Sequence, residues 1–384
     1  MERFIRAIIL IPFFFLVPIS AVAGKKEREL VIAIARDDAA AVTALIERRV
    51  NVNGRGGSCK TTPPHEAATL ENPAILKLLL EAGANPKRAT TKQCDRWTPL
   101  HYVARFGGSP EAAGLLLDAG ADANAIGNNG YTPLLIAARY FPRVGQIILA
   151  RGGDGLAQVN GRNALHLALF ETDIDTGQSL SLALLNQYPE LAKKKDSVDF
   201  WLPHHWNARY MKSTAVAKRL VALGSSPGAR NTGGCSSLHL AAHHGNRPEA
   251  VPLVEYLLTL ADIDPNSTDN NGKTAMHWAA QSGAALVTAR LIEAGADPEI
   301  QWQGKTAKDI AIEEGHLETE AIIAHAVKRR RLQQIAIEQD ASARRLREAD
   351  VALPMEIRRD KYLVQITSAL KQEDYESALL YIEL

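Results

Sequence analysis

Apolar residues are arranged in three ways along this chain. A continuous run from Ala7 to Ile19 follows the basic opening Met1-Glu-Arg-Phe-Ile-Arg6 and precedes the small-residue pattern Ala21-Val-Ala23 and Gly24. That order of charge, apolar run and small residues is the form of a secretory signal peptide over residues 1–23. The run approaches the length of a membrane anchor, but Pro12 and Pro18 interrupt it and the Ala-x-Ala ending favours cleavage. From Glu27 to Ala326 the apolar residues instead come in short paired groups between polar, glycine-containing turns, which predicts pairs of short helices. From His325 to Asp350 the chain is rich in Arg, Glu, Gln and Ala without a continuous apolar stripe, which predicts an exposed charged helix.

The paired groups are copies of one motif. Thr62-Pro-Pro-His-Glu-Ala-Ala68, Thr98-Pro-Leu-His-Tyr-Val-Ala104, Asn163-Ala-Leu-His-Leu-Ala168, Ser236-Ser-Leu-His-Leu-Ala-Ala242 and Thr274-Ala-Met-His-Trp-Ala-Ala280 align directly. Thr132-Pro-Leu-Leu-Ile-Ala-Ala138 aligns with Leu135 in the histidine position. His166 and His239 are 73 residues apart, about two periods, and Leu202-Pro-His-His-Trp-Asn-Ala208 fills the gap with Pro203, His205 and Ala208 in register. The period then runs 36, 34, 31, 39, 34 and 38 residues, and repetition at that spacing is the mark of a stacked array. Within each copy a residue such as Thr98 caps the first turn, Pro99 follows where its missing N–H costs nothing, and Gly83, Gly120 and Gly295 stand where a second helix must end left-handed. Asn129-Gly130, Asn160-Gly161 and Asn271-Gly272 are tight-turn pairs at the tips between copies.

The motif, with Leu115-Leu-Leu-Asp-Ala-Gly-Ala-Asp122 and Leu291-Ile-Glu-Ala-Gly-Ala-Asp297 after it, resembles the ankyrin repeat family over about Glu27 to Ala326. The resemblance implies an all-α ankyrin-repeat solenoid of about seven repeats, with terminal caps at Glu27–Asn53 and Lys305–Ala326 and short β-hairpin loops. It makes His65, His101, His166, His205, His239 and His277 hydrogen-bonding braces between helix start and hairpin. The repeats at Asn163 and Leu202 depart most from the pattern. The chain divides into a signal peptide (1–23), an ankyrin-repeat domain (24–326), a charged helical linker (327–353) and a C-terminal helical hairpin (354–384). In the last, Tyr362–Leu370 and Tyr375–Tyr381 are similar to half of a tetratricopeptide-type unit.

In such an array the hairpin tips and first helices form a concave surface. The residues before each Thr and after each Ala-Ala are free of scaffold duty. They are Trp97, Arg105 and Phe106, then Tyr131, Arg139 and Tyr140, then Arg162, Phe170 and Glu171. His243, His244, Lys273, Gln281, Trp302 and Lys305 follow in later repeats. Aromatic residues and arginine are the types enriched at protein-binding hot spots, so the first half of the array is the expected partner-binding stripe.

The chain is 46% hydrophobic and 6% aromatic over 384 residues, ample for a folded body. Leaving out Glu2, Arg3 and Arg6, it carries 42 basic and 42 acidic side chains, which gives no electrostatic case for nucleic acid. Three cysteines are too few for a disulfide framework, but Cys59 and Cys94 fall near the same place in consecutive repeats and are a candidate bridge. Lys328-Arg-Arg-Arg331, set among glutamates, reads as a solvated face. Metalloprotease, nucleophile-elbow, P-loop and Cys-x-x-Cys patterns are missing from the sequence. His204 with His205 and His243 with His244 are the best metal candidates, but adjacent residues on one helix do not share a face, so no metal, cofactor or catalytic residue is assigned. The expected protein is a monomeric, non-catalytic, exported ankyrin-repeat protein of the periplasm that binds another protein, as a scaffold, stabiliser or immunity protein, with secretion as the other destination and no stable membrane insertion after cleavage. The alternatives are an exported metal-dependent hydrolase and an effector released to bind a host protein.

Overall fold

A computed structural model describes residues 24–351, apart from 108, 171–173, 198–199 and 212, together with 363–368. The signal peptide expected over 1–23, Glu171 and most of the hairpin expected over 354–384 lie outside the described residues. Among the described residues no helix is long and apolar enough to cross a membrane. Chain contacts divide the molecule into one unit up to Thr319 and a second from Glu320 onward.

The first unit is a stack of antiparallel helix pairs. The opening pair is Lys25–Ala35 and Ala39–Glu47, and the pairs Pro63–Ala67 with Ala74–Glu81, Pro99–Phe106 with Pro110–Asp118, and Pro133–Tyr140 with Pro142–Ala150 follow. Ala164–Leu169 pairs with the longer helix Ile174–Gln187. Pro203–Trp206 passes into a π-helical turn, Asn207–Met211, before Thr214–Ala222. Ser237–His243 with Ala250–Leu258 and Ala275–Ser282 with Ala285–Glu293 complete the regular pairs, and Ala307–Glu313 follows them. First helices pack on first helices and second on second, so each repeat covers the apolar faces of its neighbours.

The small residues of the motif set this packing. Ala67, Ala68, Ala104, Ala137, Ala138, Ala241, Ala242, Ala279 and Ala280 are all fully buried, and Leu76, Leu100, Leu116, Leu134, Leu165 and Ile148 fill the space between helices. Each such large side chain contributes about 1.5–3 kcal/mol by leaving water. Thr98, Thr132 and Thr274 hold extended backbone at the N-caps, and Gly83, Gly120 and Gly295 end second helices at φ of 85°, 88° and 88°, a region that a side chain disfavours.

The hairpin tips are less uniform than their Asn-Gly pairs suggest. Only Asn160-Gly161 turns with both residues left-handed (φ 48° and 71°), and it alone of the three joins a two-stranded ladder, Gln158–Val159 with Arg162–Asn163. At Asn129-Gly130 and Asn271-Gly272 the glycine alone is left-handed. The other ladder, Gln301–Trp302 with Lys305–Thr306, turns at Gln303-Gly304 (φ 51° and 78°).

In the second unit, one helix begun at Leu317 continues to Val351, and its described side chains from Arg329 to Arg345 are exposed, including Leu332, Ile335 and Ile337. Residues 363–368 are helical.

Candidate partner-binding surface

The buried histidines are built into the helix starts. In the second repeat, Thr98 donates to His101 Nδ1 through its backbone N–H (3.1 Å) and lies 2.9 Å from it through Oγ1. The N–H contact requires Nδ1 to be the acceptor, so the proton sits on Nε2 and donates to the Tyr131 carbonyl of the next hairpin at 3.2 Å. The same two-ended arrangement joins His65 to Trp97, His166 to Lys194, His205 to Ala229 and His239 to Ser267, at 2.9–3.1 Å. His277 keeps the cap to Thr274, but its Nε2 closes no normal hydrogen bond. In the last repeat Asp309 takes over the capping half, accepting from Thr306 N and Oγ1 at 2.9 and 2.7 Å. Burial pushes His65, His101 and His166 down to about 4 and lowers His205, His239 and His277 as well. These rings are neutral scaffold, and all but His277 are bonded at both nitrogens.

Outside that scaffold, the first helices and hairpins carry a ladder of rings and cations. Trp97, Tyr102 and Phe106 pack together with centroids 5.3–6.3 Å apart. The Arg105 guanidinium lies 5.6 Å from the Phe106 centroid and 4.2 Å over Tyr140 in the next repeat. Arg139 repeats the step, 5.5 Å from Tyr140 and 4.4 Å over Phe170. Phe170 meets Tyr210 at 4.5 Å and Trp206 at 6.0 Å, and Arg162 lies 4.9 Å over Trp206. Arg209 then sits between Tyr210 and Trp201 at 5.4 and 5.8 Å. Farther on, Lys273 Nζ stands 4.3 Å from Trp278 and 4.1 Å from Trp302. Each cation–ring contact is worth about 0.5–1 kcal/mol where exposed, enough to hold long side chains in fixed rotamers.

Seven of the residues expected on the binding stripe, Trp97, Arg105, Phe106, Arg139, Tyr140, Arg162 and Phe170, fall on this ladder. Phe106 and Tyr140 are exposed at 44% and 39%. Tyr131 joins none of these ring and cation contacts; its ring, like those of Trp97, Tyr102 and Phe170, packs partly buried against the core, and its carbonyl receives His101. Sequence reasoning passed over Tyr102, Trp201, Trp206, Arg209, Tyr210 and Trp278. The signal was present, since Ala208-Arg209-Tyr210 repeats Ala104-Arg105-Phe106 and Ala138-Arg139-Tyr140, and Trp201 stands before its helix as Trp97 does. Tyr102, Trp206 and Trp278 share the position after the histidine, which is Glu66, Leu167 or Leu240 elsewhere.

Between Trp201 and Trp278 the face opens into a cleft of about 300 Å³ lined by Arg209, Cys235, His239 and His243. His243 and His244 do share a side here, contrary to the rule for adjacent helical residues. The helix stops at His243, and the rings stack at 4.5 Å, with His243 also 4.4 Å from Trp278. Among the described residues no group of three His, Cys, Asp or Glu side chains is placed to hold a metal ion. Asp269, 5% exposed, accepts from Trp278 Nε1 at 3.0 Å and from the Asn271 and Lys273 N–H groups, fixing the far wall. Burial, and then Asp269, raise the Cys235 thiol to about 11.

Cys59 and Cys94 are joined by a disulfide with Cα atoms 5.5 Å apart. Projecting loops approach there more closely than stacked helices do, and Thr91 N donates to Cys59 O at 2.9 Å alongside the bridge. Asn53, Asn124 and Asn266 latch adjacent repeats. Asn266 donates to Gly295 O at 3.2 Å and accepts from Asp297 N at 2.6 Å, so the amide of Asn266-Ser-Thr268 is committed to the stack.

A sequence model described as Ankyrin repeats (3 copies) matches residues 30–127, 71–154, 100–193, 204–301 and 249–329. Together these matches cover most of the chain, which belongs to the ankyrin-repeat family. It is 33% identical over 177 residues to the chicken nuclear factor NF-kappa-B p105 subunit, covering 44% of this chain and 17% of that protein. Human transient receptor potential cation channel subfamily A member 1 is 28% identical over 236 residues (61% and 21%), and mouse Rabankyrin-5 is 28% identical over 240 residues (59% and 18%). The chain thus spans about a fifth of the length of these relatives, and what they share with it is the repeat scaffold, a platform for protein–protein interaction.

Proposed function

We propose that this chain is an exported, non-catalytic ankyrin-repeat protein that holds another protein against its first-helix face. The observation that carries the reading is the ladder itself. Six successive cation–ring contacts, from Arg105 over Phe106 to Arg209 beside Trp201, run through four repeats on one side of the stack. Amphipathic aromatic and arginine side chains held in place by their neighbours lose little entropy on binding, which is what makes such residues anchors. Export is supported by the N-terminal pattern over residues 1–23 and by the Cys59–Cys94 bridge, since disulfides persist in oxidising compartments. The periplasm is the compartment we favour, and the role is that of a scaffold or stabiliser for a resident enzyme, or of an inhibitor or immunity protein for an exported one.

The test is affinity capture from a periplasmic extract of the source organism, comparing the native protein with Phe106→Ala/Tyr140→Ala. The variant gives up three cation–ring contacts, about 1.5–3 kcal/mol in all, so capture is compared well below its melting temperature, where both proteins are folded. The reading expects one stoichiometric partner that the variant no longer retains. Equal retention by both proteins would move the binding surface elsewhere.

A further inference from the structure

We infer that the first-helix face takes an extended acidic segment of its partner, with carboxylates three residues apart seated on Arg105 and Arg139. This deepens the proposed function and rests on the first-helix face being the binding surface. Arg105 and Arg139 occupy the same position in adjacent repeats, and each guanidinium is held by ring contacts at 4.2–5.6 Å. A guanidinium packed on rings through its flat face keeps its N–H edge for an acceptor. Among the described residues neither has a carboxylate or hydrogen-bond partner. Two arginines on the second helices do have such partners: Arg151 pairs with Asp118 at 3.3 Å, and Arg290 with Glu255 at 2.6 Å and Glu293 at 3.0 Å. Those two cations are neutralised by carboxylates, whereas among the described residues the N–H edges of Arg105 and Arg139 meet no acceptor.

The spacing selects the conformation of the ligand. First helices of neighbouring repeats pack about 8–10 Å apart. A polyproline II chain rises about 3.1 Å per residue with three residues per turn, so positions i and i+3 stand about 9 Å apart on one side. A β-strand would point i and i+3 to opposite faces. The two residues between the acids meet Phe106 and Tyr140, whose exposed ring surface suits apolar or proline side chains. Glu66, beside Tyr102 at the N-terminal end, has its carboxyl raised by burial. Nucleic acid fits less well. The rings already carry guanidiniums where bases would stack, and the formal net charge is only +1.

The experiment is a fluorescence-anisotropy titration of the full chain with labelled proline-based peptides. One carries glutamate at every third position, one the same number of glutamates in adjacent pairs, and one lysine at every third position, and a twelve-base oligothymidylate serves as the nucleic-acid probe. The third-position glutamate peptide binds tightest, and Arg105→Gln/Arg139→Gln weakens it by about tenfold or more at a temperature where circular dichroism shows the variant folded. Equal binding of the lysine peptide, tighter binding of the oligonucleotide, or no loss in the arginine variant would overturn the inference. Failure of the peptide while Phe106→Ala/Tyr140→Ala still abolishes partner capture would sink the acidic ligand and keep the surface. Retained capture in that ring variant would sink the surface itself.

Discussion

Mild acid should unfold this protein well above the pH at which its carboxylates titrate. His65, His101, His166 and His204 are buried, and burial takes each from the ordinary 6.5 to about 4. The sign follows from the direction: the unfolded chain binds protons that the folded chain refuses. The stability these sites contribute is present above pH 6.5 and is lost as pH falls toward 4. Between pH 7 and 5 each site costs about 2 kcal/mol of stability, and the four together about 7 kcal/mol. That is comparable with the whole stability of an ordinary domain, about 5–15 kcal/mol. Glu66 acts in the opposite direction, because its raised carboxyl gains its proton more readily when folded, but it is one group against four. Urea midpoints across this range report the loss. His101→Leu sharpens the test: it abandons buried Thr98 and Tyr131 partners, at about 1–3 kcal/mol each, yet should show a pH slope shallower by about 2 kcal/mol between pH 7 and 5. A flat native profile, or an unchanged slope in His101→Leu, would refute the reasoning.

Unfolded under non-reducing conditions, the chain should present one titratable thiol, Cys235, and reductant should raise the count to three. In the native state that thiol should react slowly at pH 8, because burial holds it near 11; three free thiols without reductant would remove the bridge. Reduction should lower stability by at most about 4 kcal/mol, the loop-entropy value for the 35-residue separation of Cys59 and Cys94. Asn266→Ala should cost about 1–3 kcal/mol in chemical denaturation, since it strands the Gly295 carbonyl and the Asp297 N–H; a neutral result would mean water replaces the latch.

The array was legible because its capping Thr, Pro, His and paired Ala residues recur in register, and each has a local job that sequence alone displays. The binding ladder was legible only in part. Trp97, Arg105 and Tyr140 sit at positions marked by the motif, whereas Tyr102, Trp206 and Trp278 occupy the helix position after the histidine, which is glutamate, isoleucine or leucine in other copies, so residue type there does not signal a ladder; Trp206 itself is only 3% exposed. The Leu202 repeat hid Arg209 and Tyr210 because its first helix shortens to Pro203–Trp206 and continues as a π-helical turn, a break that the residue pattern does not announce. Tyr131 matches Trp97 in the motif and, like it, packs partly buried against the core, but it joins none of the ring and cation contacts of the ladder.

The most direct test is hydrogen–deuterium exchange of the chain with and without its captured partner. The account predicts slowed exchange in peptides covering 97–106, 133–140 and 201–210, with the second helices at 110–118 and 142–150 unchanged. Protection confined to the second helices, or to residues beyond 320, would contradict it.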